Sequence, residues 1–111
     1  MHIIGDGTAE RTLDAQEIMR ILNPENPIRP AMAHNDLMAP HPHHYARLAE
    51  LGVVANLSWQ WAGLTDAQEE TYRHLLGPRR AERGLKTYGR FFDAGVTVAW
   101  NNDWPIDPLN E

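Results

Sequence analysis

The sequence predicts an α/β fold with parallel strands, and three observations carry that prediction. The segments "AELGVVANL" and "FDAGVTVAW" share one plan: the end of a helix, a glycine, then an apolar strand. Their glycines, Gly52 and Gly95, stand 43 residues apart, and a repeated helix-to-strand unit implies parallel strands joined by helical crossovers. The candidate strands read as mostly apolar runs rather than alternating ones, as expected where helices cover both faces of a sheet. The order along the chain is strand, helix, strand, helix, strand, helices, strand. That makes four parallel strands, the first cut short at Met1.

Each element has a local cause. "HIIGDG" is a strand tail and a turn, with Asp6 or Thr8 placed to cap the next helix. That helix runs to Asn23, with Ala15, Ile18, Met19 and Leu22 on one apolar stripe. Pro24 and Pro27 in "NPENP" stop it. "IRPAMAH" is the second strand, although Pro30 is unfavourable in a central position. A loop follows, and Pro42 suits the first turn of a helix whose apolar face is Tyr45, Leu48 and Ala49. Gly52 ends that helix in the left-handed conformation, and "VVANLS" is the third strand. After the connection "WQWAGLT", a short helix covers Asp66 to Leu76 and stops at Gly77-Pro78. A further helix runs from about Gly84 to Ala94, with Leu85, Tyr88 and Phe92 at helical spacing. Gly95 ends it before the strand "VTVAW".

Composition bounds the function. A chain of 111 residues is one domain at most, and a compact domain of that size buries roughly two-thirds of its unfolded surface. Net charge is -5, with no basic cluster beyond "GPRRAER", which argues against nucleic acid and against an anionic membrane surface as partners. Absence of cysteine excludes a disulfide or a thiolate site and agrees with a cytoplasmic protein. No apolar run approaches the roughly 20 residues of a membrane-spanning helix, and no signal peptide is visible.

In a parallel α/β protein, chemistry gathers at the C-terminal ends of the strands. Here those ends carry His2, His34, Ser58-Trp59 and, just beyond the last strand, Asp103. Two imidazoles and a carboxylate on one rim are what a divalent metal ion of zinc type needs. Taken singly, a strand-end histidine is commonly a hydrogen-bonded structural residue, and an aspartate after a strand is commonly a turn or helix cap. Their emergence on one rim favours the metal. Trp59 and Trp61 can wall a substrate pocket or pack under loops, and Asn101 and Asn102 are turn residues or hydrogen-bond donors to substrate. The run "HPHH", with His41, His43 and His44, could bind metal, but in a polar loop at a helix start it reads first as a surface cluster, and His74 faces solvent from a charged helix.

The segments "HIIGDG", "AHND" and "AGVTVAWNNDWPIDP" resemble three signatures of amidohydrolase family 3, the group of N-substituted formamide deformylase-like enzymes. Typical signatures there are His-x-Ile-Gly-Asp, a strand ending in Glu-His, and Gly-Ser-Asp-Trp-Pro. The likeness runs over nearly the whole chain, with two departures: Ala33 in place of Glu, and Asn101-Asn102 in place of Gly-Ser. The resemblance implies a TIM-barrel-like (β/α)8 fold, of which residues 1–111 are the second half, strands five to eight, and so an incomplete domain. It implies a hydrolase of carbon–nitrogen, amide-type bonds in small molecules. His2 and His34 would bind one or two divalent ions of zinc type, and Asp103 would bind metal and take the proton from its water. The remaining ligands would come from the first half. Standing alone, four strands leave two open edges, so the chain is expected to pair with a missing N-terminal half, or with itself or another chain as a catalytically inactive fragment.

Overall fold

The computed structural model describes residues 1–35, 41–58, 65–84 and 87–101. Strand β1 (His2–Ile3) leads into helix α1 (Asp6–Leu22), strand β2 (Ala31–His34), helix α2 (Pro42–Glu50) and strand β3 (Val54–Ser58). Three helices follow, α3 (Asp66–Leu76), α4 (Pro78–Gly84) and α5 (Gly89–Asp93), and then strand β4 (Thr97–Asn101). The four strands form one all-parallel sheet in the order β1-β2-β3-β4. The α/β class and the parallel sheet expected from the repeat are both present. No described helix is long and apolar enough to cross a membrane.

The repeated unit folds the same way twice. Gly52 and Gly95 have φ of 65° and 72°, a conformation that glycine adopts without a Cβ penalty. At the first, Val53 N–H donates to the Leu48 carbonyl and Gly52 N–H to that of Ala49. At the second, Val96 N–H donates to Phe91 and Gly95 N–H to Phe92. Both are Schellman caps, which satisfy the last helical carbonyls and turn the chain back toward the sheet. The strands that follow then lie side by side in matching register, Val54 against Thr97 through Ser58 against Asn101. Pro30 does no harm because β2 begins after it, and its carbonyl accepts from Val54 N–H at 2.9 Å.

The core lies on one side of the sheet. Ile3, Met32, Ala55 and Leu57 are fully buried against Ala9 and Leu13 of α1, Leu48 of α2 and Phe91 of α5. Residues of opposite parity, Ala31, Ala33, Val54 and Asn56, are exposed or only half-buried. The strands therefore alternate, and the expectation of helices on both faces is corrected: apolar Ala and Val on the second face hid the alternation.

Three further expectations are corrected. The buried stripe of α1 is Ala9, Leu13 and Gln16, whereas Ala15, Ile18, Met19 and Leu22 are all exposed. Both stripes have helical spacing, and only packing decides between them. The helix expected over 84–94 is shorter, α5, with Gly84 the last residue of α4; Tyr88 is buried as expected, whereas Phe91 and not Phe92 is turned inward. Leu85 lies outside the described residues. Asp6 does not cap α1: Gly5 is the N-cap, and the Asp6 carboxylate accepts from Gly7 N–H and pairs with Arg80. At α3, by contrast, Thr65 and Gln68 form a reciprocal capping box.

Candidate functional site

The C-terminal ends of the strands bring His2 and His34 together. Register pairs His2 with Ala33 and Ile3 with His34. Strict alternation would send the His34 side chain to the face of Ile3, into the helix-covered core. Instead His34 has φ of 72°, and the N–H of Asn35 donates to the carbonyl of Ala33 at 3.1 Å across it. A three-residue turn with positive φ at its centre is the rarer and strained form of the γ-turn. The turn breaks the alternation, and the His34 ring meets that of His2 edge-on, with centroids 4.3 Å apart. His34 is 5% exposed while His2 is open to solvent. A non-glycine residue in this region costs on the order of 1–3 kcal/mol, which the surrounding structure must supply.

Asn35 supplies part of it. It also has positive φ, 60°, which asparagine tolerates better than most residues. Its N–H also donates to the Ile3 carbonyl at 2.9 Å, and its Nδ2 donates to the Met32 carbonyl at 2.7 Å. The Asn35 Oδ1 is buried with no hydrogen-bond partner among the described residues. An orphaned buried acceptor costs about 1–3 kcal/mol.

Ser58 extends the cluster. By parity it lies on the half-open face with Val54 and Asn56, its Oγ 3.4 Å from His34 Nδ1. The same hydroxyl donates to Asn101 Oδ1 at 2.8 Å, and the Tyr88 hydroxyl donates to the Ser58 carbonyl at 3.0 Å. The four strand ends thus present His2, His34, Ser58 and Asn101 in one row. As a donor set, two touching imidazoles with a hydroxyl behind one of them fit half of a zinc-type site, because a ligating histidine is usually oriented through its second ring nitrogen. The other residues predicted for this site, Asp103, Trp59, Trp61 and Asn102, lie outside the described residues. The sequence placed Ser58 at a strand end without giving its hydroxyl a role, and Asn35 was not singled out. Their signal was position alone: each stands at the last residue of a strand or one beyond it.

A second polar cluster sits in the helical layer, where α1 meets α2. His43 Nε2 lies 3.0 Å from Glu10 Oε2, and His44 Nε2 meets the same oxygen. Arg47 holds the other oxygen, Oε1, at 2.9 Å and also pairs with Asp14 and Glu17. Hydrogen bonds from His43 and His44, with the charges of His44 and Arg47 adding to them, lower the Glu10 carboxyl to about 2. The reading of "HPHH" as a surface cluster is corrected at one residue: His44 is 1% exposed, because its ring turns under α2 toward α1. His74 is exposed, as expected.

Comparison with family models, with curated proteins and with solved structures returns no match.

Proposed function

We propose that this chain is the C-terminal half of a (β/α)8 metal-dependent hydrolase acting on carbon–nitrogen bonds of amide type, with His2, His34 and Asp103 as its share of the metal ligands. What carries the reading is the strained turn that swings the His34 ring out of the core side and onto His2. A fold has no need of that turn for its own stability, and strain of this kind collects at functional sites. The strand order adds support. Sequential parallel strands with right-handed crossovers place successive helices on one face, which is how a barrel is wound. The half-covered second face would then line the barrel interior, with the His2/His34 row at its C-terminal mouth, where barrel enzymes carry their chemistry. The likeness to amidohydrolase family 3 in "HIIGDG", "AHND" and "NNDWP" points the same way.

When bound, a zinc-type ion supplies a water that ionises near neutral pH and polarises the scissile carbonyl. The protein's own residues do the rest. His2 and His34 would hold the ion, and Ser58 would steady the His34 ring. Asp103 accepts the proton of the attacking water and returns it to the leaving nitrogen. Trp104-Pro105 restricts the backbone that carries this carboxylate. Trp59 and Trp61 wall the substrate, and Asn102 donates a hydrogen bond to it. Lack of cysteine and acidic charge suit a cytoplasmic setting.

The zinc-loaded chain is expected to lose one equivalent of ion on His2→Ala and on Asp103→Asn. Hydrolysis of N-formyl or N-acyl amines is expected only after complementation with a segment bearing a His-x-His strand. Zinc content unchanged in both variants would contradict the assignment.

A second reading, a catalytically inactive fragment that pairs with another chain, is favoured by exposed apolar side chains on α1 and at the β4 edge of the sheet. Ile18, Met19 and Leu22 are exposed on α1, and Phe92 and Trp100 are exposed at β4. On this reading, light scattering during size-exclusion chromatography gives a dimer or larger species without metal. A monodisperse monomer would remove it.

A further inference from the structure

Glu10, His43 and His44 do not behave as a chance ion pair. Residues adjacent in a helix point about 100° apart around its axis, yet His43 and His44 both direct Nε2 to the same Glu10 oxygen. One donor atom from each of the three residues lies within 4.8 Å of the other two. The His44 ring is buried, and among the described residues its second nitrogen, Nδ1, has no hydrogen-bond partner, so its polar engagement there is at this cluster. Arg47 fixes Glu10 Oε1 and leaves Oε2 facing the two rings. Its charge does not make the place cationic, because Glu10, Asp14 and Glu17 all pair with it.

The surroundings suit an ion that enters from solvent. Together with Asp6, Gly7 and His41, the three residues line an open cleft of about 350 Å³. The His41 ring centroid is 5.4 Å from those of both His43 and His44, and its Nε2 lies 3.9 Å from Asp6 Oδ2. Two imidazoles and one carboxylate match the three-ligand sets that hold zinc with a fourth position open. A donor set with this much nitrogen selects against magnesium and calcium, which take oxygen ligands.

We propose that Glu10, His43 and His44 form a binding site for a divalent transition-metal ion of zinc type, separate from the strand-end site and clipping α1 to α2. The site rests on residues of the two helices and does not depend on the hydrolase reading.

The test uses the full chain carrying His2→Ala, so that the strand-end site is disabled. Zinc is titrated by equilibrium dialysis with metal analysis, and thermal unfolding is followed with and without zinc or magnesium. The expected result is one zinc per chain and an unfolding temperature raised by zinc but not by magnesium, since a ligand that binds only the folded chain stabilises it. His43→Ala and Glu10→Gln, both at partly exposed positions, are each expected to weaken zinc binding. The loss should be at least the roughly 10-fold that removal of an outer-shell partner alone brings, and the zinc-dependent rise should vanish with it. A His2→Ala chain that binds no zinc overturns the proposal. So does zinc binding that survives both His43→Ala and Glu10→Gln.

Discussion

Phe91→Ala is expected to cost about 3–5 kcal/mol of folding free energy, and Phe92→Ala no more than about 0.5 kcal/mol. Phe91 is fully buried under the sheet and meets the Tyr45 ring edge-on at a centroid distance of 4.9 Å, with Tyr88 beyond at 6.4 Å. Truncation removes the contacts of a whole ring and leaves a cavity that two tyrosines, each tied by its hydroxyl to Thr87 or Ser58, cannot collapse to fill. Phe92, 55% exposed, gives up little on truncation. Native domains have roughly 5–15 kcal/mol to lose, so the first variant is expected to populate unfolded chain without denaturant. Urea unfolding followed by circular dichroism checks both. Equal effects of the two substitutions would mean that α5 is rotated from the position described.

The second large effect separates strain from function at one residue. His34→Gly and His34→Ala both remove the imidazole, and both are expected to abolish zinc binding at the strand ends. They differ in the backbone. Glycine accepts φ of 72° freely, whereas alanine keeps the Cβ that makes this conformation costly. His34→Gly is therefore expected to be more stable than His34→Ala by about 1–2 kcal/mol, although glycine loses more entropy on folding at an ordinary position. Denaturant midpoints of the two variants measure the difference. An alanine variant as stable as the glycine variant would show that the turn at His34 is not strained, and the argument from strain to function would fail with it.

The same residue shows why parts of the site were legible in the sequence and parts were not. Glycine-bounded junctions are local signals, so Gly52 and Gly95 predicted both helix ends and, through the repeated unit, the parallel arrangement of β3 and β4. That His2 and His34 share a rim followed from the rule that strand ends carry chemistry. How the rings meet did not, because a left-handed histidine leaves no mark in composition or periodicity. The misread stripe of α1 has a similar cause. Ile18, Met19 and Leu22 are more apolar than Thr12 and Gln16, and hydropathy ranks them first. Tertiary packing buries the less apolar face and leaves the other exposed. The Glu10, His43 and His44 cluster joins residues more than 30 positions apart, and nothing in "HPHH" alone points to α1.

Zinc K-edge X-ray absorption on the full chain carrying His43→Ala tests the central claim most directly, because that variant leaves the strand-end site as the one proposed zinc site. The account predicts bound zinc with two imidazole ligands at about 2.0–2.1 Å and oxygen ligands completing the shell, and the loss of that zinc when His2→Ala is added. Zinc ligated by fewer than two imidazoles, or a spectrum unchanged by His2→Ala, would contradict it.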